Sequence, residues 1–348
     1  MIRRLPLRTL DGRWRPSVGV AAALVLAVVL AALAGGMSEY NLDVLTSILA
    51  LVVLTVAWNL LGGFGGLFSL GASAFVGTGA YASALIELHA GVGFPVALVT
   101  GILAGLVLAA ILALPLLRLR GDYFTIGTIA AALAIQAWAL NSGITGGSSG
   151  LNYPISGLPA PAVIYQLSCI AAGVALAVSF IIANSGFGMR MKAVRDDEGA
   201  ATALGVSAQR YRFSALIING ALSGLAGTLI GMQQLSFEPN GMLGISWSAN
   251  ALLMAIVGGV GTVIGPVLGV IVVYYALTLQ LQSYQELSQV IEGVLLVVIV
   301  VFAPRGLWPA VIRGWSWLLA QLGRRRSAAA LAVDPAAAAA RETTTSTT

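Results

Sequence analysis

The sequence predicts an all-α fold: a polytopic membrane protein of about eight to ten transmembrane helices, some of them glycine-rich and broken. Three observations carry this. The 348 residues are 58% hydrophobic and only 9% charged, with a mean hydropathy of +0.93, whereas soluble domains carry about 25% charge. Uncharged stretches at 16–38, 44–86, 88–117, 123–183, 213–237 and 239–285 each reach the ~18 residues that cross a ~30 Å hydrocarbon core as helix. The longer ones have room for more than one crossing. Runs such as "AAALVLAVVLAALAG" lack the alternation that a membrane β-barrel requires.

Charge placement orders these spans. The 18 Lys and Arg fall in four clusters. They are the N-terminal arm (Arg3 to Arg15), Arg118 with Arg120, the segment from Arg190 to Arg212, and the residues from Arg305 onward. Basic residues mark cytoplasmic loops, so an even number of crossings separates each cluster from the next. That gives about four spans in 16–117, two in 122–189, and two or four in 213–304, with ten in all favoured. "GMSEYNLD" and "SFEPNG" carry only acidic charge and "NSGITGGSSGLNYP" none, which places them outside. The net charge of +5 therefore reads as cytoplasmic loops rather than as a nucleic-acid surface.

Residues 1–15 form a basic cytoplasmic arm, 16–305 one transmembrane domain with a charged loop at 184–211, and 306–348 a cytoplasmic tail, low in complexity toward its end. The first apolar run, 17–34, is longer than the ~7–15 residues of a signal-peptide core and reads as an uncleaved anchor. Small residues recur every four positions at Gly101–Gly105, Gly220–Gly224, Gly227–Gly231 and Gly261–Gly265–Gly269, a spacing that lets helix backbones approach closely. Two passages are denser still: 62–85, with Gly62, Gly66, Ser69 and Gly71, and 255–266, with Gly258, Gly259 and Gly261. They read as broken helices, which lipid permits only where they are buried or line a cavity. Their role is either tight packing or a gate on a translocation path.

Several chemistries lack their residues. His89 is the single histidine, so no histidine pair can bind a metal, and no metal site is expected. "GGSSG" (146–150) lacks the strand–turn–helix setting of a serine nucleophile. The single lysine, Lys192, lies in "RMKAV" and not in a phosphate-binding loop, so any ATP must bind elsewhere. Asp43, Glu87, Asp122, Glu238 and Glu286 fall at span ends or loops. Glu292 alone lies within a span, where a snorkelling or hydrogen-bonded role outweighs a relay. Asn59, Gln136, Asn219 and Asn250 are polar candidates for the pathway, or equally interhelical glue. The lone Cys169 sits in an apolar run.

"RDDEGAATALG", Arg195 to Gly205, stands out against this background. Asp196, Asp197 and Glu198 suit the first turn of a helix, and Ala200 and Ala201 continue it. Gly205 fits a left-handed stop, and Ser207 caps a following helix. The pattern predicts a cytoplasmic helix of about two to three turns, rigidly joined to the next span and shaped to enter a partner's cleft, with Glu198 offering it a carboxylate.

The same stretch, read on through "SAQRYRFSALIINGALSGLAGTL", resembles the coupling loop of LivM-type permeases. These are membrane subunits of branched-chain amino-acid ABC importers. "GGFGGLFSLGASAFVGTGAYASALI", "YFTIGTIAAALAIQ" followed by "TGGSSGL", "AIVGGVGTVIGPVLG" and "FAPRGLW" are similar to further motifs of that family, in family order. Gly199 departs from it, standing where an aliphatic residue is usual.

The resemblance implies a heteromeric importer in the bacterial inner membrane. This chain and a second related permease subunit would surround the pathway. Two ATPase subunits, binding ATP and Mg, would dock on coupling residues that here include Arg195, Asp197, Glu198, Ala200, Ala201 and Gly205. A soluble binding protein would deliver the amino acid past an external motif of Thr145, Gly146, Gly147 and Gly150. No cofactor would bind this chain. The open alternatives are an ion-coupled secondary transporter, or a permease of the same family for urea, amides or polar amino acids.

Overall fold

The computed structural model describes residues 16–154, 158–275 and 306–308. Twelve α-helices follow in order: α1 (Pro16–Ala32), α2 (Glu39–Asn59), α3 (Ala72–Ala90), α4 (Phe94–Leu116), α5 (Asp122–Asn141), α6 (Pro161–Asn184), α7 (Gly186–Asp196), α8 (Glu198–Ala203), α9 (Ala208–Gln234), α10 (Pro239–Met242), α11 (Ser246–Gly258) and α12 (Gly265–Val273). The strands among the described residues are β1 (Leu151–Asn152) and β2 (Ser236–Phe237), antiparallel with Leu151 opposite Phe237. Among the described residues, seven helical stretches are long and apolar enough to cross a bilayer: Val18–Gly36, Glu39–Phe64, Phe94–Leu116, Asp122–Asn141, Pro161–Asn184, Ala208–Gln234 and Pro239–Gly258. The protein is all-α and polytopic. The basic arm, most of the tail and the stretch before Arg305 where the last crossings are expected, with Glu286 and Glu292, lie outside the described residues.

Helix ends follow local chemistry. Ser38 accepts a hydrogen bond from the Asn41 amide at the start of α2, and Ser185 does the same for Gly188 in α7. Proline stands in the first turn of α4, α6 and α10, where its missing N–H costs nothing. A π-helical turn at Leu60–Phe64 follows α2.

Backbones meet where small residues recur. α4 and α9 cross at Gly101, Gly105, Gly220 and Gly224, and a methyl group on any of them would strike the partner helix. Gly79 of α3 lies against the Gly224 carbonyl, and the Thr228 hydroxyl donates to the Gly79 carbonyl at 3.3 Å. α11 and α12 form an antiparallel hairpin in which Gly269 abuts the Met254 carbonyl and Gly258 abuts Gly265. These contacts replace the hydrophobic effect, which lipid does not supply between helices.

The bundle has two chemically distinct ends. At one, Arg118 and Arg210 share a cleft, Arg120 and Arg212 share another, and Gly19 near the start of α1 packs on Phe180 just ahead of the charged loop. At the other, β1 pairs with β2, and Gln233 at the end of α9 meets Asp43 near the start of α2.

Candidate functional site

The charged loop folds differently from its expected form in three respects. Asp196 ends α7 rather than opening the next helix. Asp197 is extended (φ −155°) and its carboxylate accepts the Ala200 amide at 2.9 Å. N-capping by aspartate thus interrupts what the sequence reads as one first turn. α8 spans only six residues, shorter than expected, and Ser207 stands at the start of α9 without a capping bond. Gly205 is left-handed at φ +83°, as its place after α8 anticipates.

Within the loop, Glu198 does not project freely. Arg212 of α9 donates to both its carboxylate oxygens, at 3.1 and 2.8 Å, so α8 is fastened to the transmembrane helix that follows. Ala201 is buried and Ala200 exposed. Gly199 makes only one near approach, to the Asp197 carboxylate.

Arg195 reaches in the other direction. Its Nη1 donates to the Gly63 carbonyl at 2.7 Å, and its stem packs so closely on Gly66 that a Cβ there would lie 2.5 Å from Cγ. The same guanidinium lies beside Gly261. One side chain of the charged loop therefore touches both glycine-rich breaks. Lys192, one turn earlier, sits over the Phe64 ring at 4.8 Å. Burial, then the neighbouring Arg195 charge, lowers the Lys192 ammonium below its usual range, against the opposing pull of Asp196.

The two breaks are also locked together. Asn59, fully buried, accepts the Gly261 amide at 2.8 Å and donates to the Thr262 carbonyl at 2.8 Å. Gly259 and Gly261 form the turn between α11 and α12, and Gly306 returns to pack on Gly259. Gly62 lies against the Trp58 ring, whose Nε1 donates to the Ser69 carbonyl at 2.7 Å. The Ser69 hydroxyl accepts the Gly71 amide, and Thr128 of α5 accepts that of Leu70. The sequence-selected residues of the two breaks thus form one assembly around Asn59, Trp58 and Arg195.

Thr145, Gly146, Gly147 and Gly150 lie at the opposite end. The buried Thr145 hydroxyl donates to the Ala139 and Ser142 carbonyls, and Gly150 backs onto the Phe237 carbonyl beside the β1–β2 pair. This motif is remote from the breaks. Gln136 donates to Asn240 at 3.2 Å, a contact between helices. Asn219 is buried with neither amide atom paired among the described residues.

A further group is less evident in the sequence. Asp43, Ser47, Leu51, Thr55 and Asn59 recur every four residues along α2 and lead to Gly63, which sets them in one row along the helix. Above Thr55 this row borders a cavity of about 470 Å³, lined also by Ile230, Gln233, Trp247, Asn250, Met254 and Tyr274. Met254 of this lining accepts a hydrogen bond from the buried Thr55 hydroxyl at 3.8 Å. The signal was polar residues at helical spacing in an apolar span. Of this group the sequence singles out Asn59 and Asn250, and it assigns Asp43 to a span end.

Residues 40–300 match the family described as branched-chain amino acid transport system / permease component. The chain belongs to this family. It is 29% identical over 309 residues to the high-affinity branched-chain amino acid transport system permease protein LivM of Salmonella typhimurium, covering 78% of this chain and 71% of that protein. It is 28% identical over 277 residues to the probable branched-chain amino acid transport permease protein LivM of Methanocaldococcus jannaschii, covering 70% and 77%. The autoinducer 2 import system permease protein LsrC of Salmonella typhi is 30% identical over 197 residues, covering 53% and 54%. No solved structure matches. The permease is a multi-pass membrane protein in which α2 borders the cavity and leads to the first helix break, where Arg195 of the charged loop and the Gly261 turn meet.

Proposed function

We propose that this chain is the membrane subunit of an ABC importer for branched-chain amino acids in a bacterial inner membrane. It pairs with a related permease, while two ATPases dock on α7 and α8 and a soluble binding protein delivers the solute at the opposite end. Arg195 carries this reading. A residue of the exposed charged loop bonds the Gly63 carbonyl at one helix break and touches Gly261 at the other, so displacement of the loop moves both.

The LivM relatives in Salmonella and Methanocaldococcus supply the solute class. The basic end, with its two arginine-lined clefts, is the cytoplasmic one. Both termini lie on that side.

The test is ATP-driven leucine uptake into proteoliposomes holding the complete transporter, parent beside Arg195→Ala. Parent uptake that needs ATP, with a variant that keeps its ATPase subunits but loses transport, is the expected result. Uptake driven by an ion gradient without ATP contradicts it.

A further inference from the structure

We propose that the cavity beside α2 is a transit site for the solute, in which the Asp43 carboxylate receives its ammonium group. The proposal rests on the amino-acid permease reading and adds to it where, and by which residues, the solute is held. Its volume of about 470 Å³ falls within the ~300–1,000 Å³ range of small-molecule sites.

The polar rim offers acceptors. The Gln233 Nε2 group donates to Asp43 Oδ1 at 2.6 Å, to the Asp43 carbonyl at 2.8 Å and to the Ser47 hydroxyl at 2.7 Å. Its donors are thereby turned toward α2. Asp43 Oδ2 and Gln233 Oε1 take no part in these bonds, and the Trp247 indole N–H is spent on the Gly241 carbonyl. A rim with a negative charge and acceptors that no described residue fills suits a ligand that brings several N–H donors and a positive charge. An α-ammonium has both.

Below the rim the lining changes character. Leu51, Ile230 and Met254 form the deeper wall, matched to an aliphatic side chain. Methionine adapts to side chains of different branching. Among the described residues Asp43 is the one charged residue that lines the cavity, so these residues grip a zwitterion at one end only. One-sided capture suits a site from which the solute must also leave.

The cavity also stands in line with the breaks. Its lining residue Met254 bonds Thr55, one helical turn from Asn59, which fastens the Gly261 turn.

The experiment measures initial rates of ATP-driven uptake by the complete transporter with saturating leucine-loaded binding protein. Asp43→Asn is expected to lower the maximal rate about tenfold or more, the share of one charge-assisted hydrogen bond. The KM for the binding protein stays unchanged, and Asp43→Glu recovers most of the rate. Rates for Asp43→Asn and Asp43→Ala within about twofold of the parent overturn the proposal.

A second arm avoids any folding defect. Asn250→Cys, labelled with a bulky thiol reagent after assembly, fills the cavity and should abolish uptake. The natural Cys169 is buried and spared. Transport at the parent rate after complete labelling also overturns the proposal. If the parent fails to carry leucine, the branched-chain reading falls. The same variants, scored with whichever amino acid its binding protein holds, still decide the role of Asp43.

Discussion

Asn59 joins two elements with a single carboxamide. Its oxygen satisfies the Gly261 amide and its nitrogen the Thr262 carbonyl, both at 2.8 Å in a fully buried setting. Leucine fills similar space but leaves both backbone groups without partners, at about 1–3 kcal/mol each. Asn59→Leu should therefore lower the melting temperature of the detergent-purified permease and speed amide exchange at 259–264. A melt equal to the parent would mean that water replaces the side chain. The sequence singles out Asn59 as pathway or glue, and its bonds make it glue. It could not show the partner, because the contact spans 203 positions. Asp43 was harder still: a carboxylate at a predicted span end looks solvated until Gln233, 190 residues away, is seen beside it.

At the scale of elements, α8 and the α11–α12 hairpin show what pattern reveals and what it hides. The stop at Gly205 was legible because a left-handed residue after a run of helix formers asks for glycine, and φ is +83° there. The break between Asp196 and Asp197 was not, because all three acidic residues suit a helix start and only capping geometry selects Asp197. These features make two variants fail differently. Glu198→Lys replaces a bidentate partner of Arg212 with a like charge. At this part-buried pair, which still meets solvent, the loss is about 1 kcal/mol. The variant should loosen α8 and weaken ATPase retention in a pull-down while the permease still inserts. Gly205→Val opposes the turn by about 1–2 kcal/mol and misdirects α8 without removing its contacts. The ATPase should stay bound while its hydrolysis no longer drives uptake. Normal transport by both variants would reduce the segment to a solvated loop. In the hairpin, Gly269→Ala drives a methyl group into the Met254 carbonyl. Overpacking of this kind costs about 1–3 kcal/mol, measurable as a lowered thermal midpoint, and an unchanged midpoint would show that α12 can shift.

At the scale of the molecule, the four-residue glycine spacings anticipated the close crossing of α4 and α9, because in lipid only small residues let backbones touch. The sidedness of the chain rests on charge, and the geometry sharpens how it can be tested. Arg118, Arg120, Arg195, Arg210 and Arg212 gather at one end, although Arg120 and Arg195 are 75 positions apart in sequence. β1 pairs with β2 at the other end. That pair forces Ser148, three residues before β1, and Phe237, within β2, onto one side, whatever side it is. Reporter fusions at Ser148 and Phe237 should therefore agree with each other, and the positive-inside rule places them both outside. A fusion at Gly205 should report inside. Opposite readings at Ser148 and Phe237 would break the strand pair and with it the fold. Agreement between them with Gly205 outside would keep the fold but invert the permease, and the ATPases could not then dock on α8.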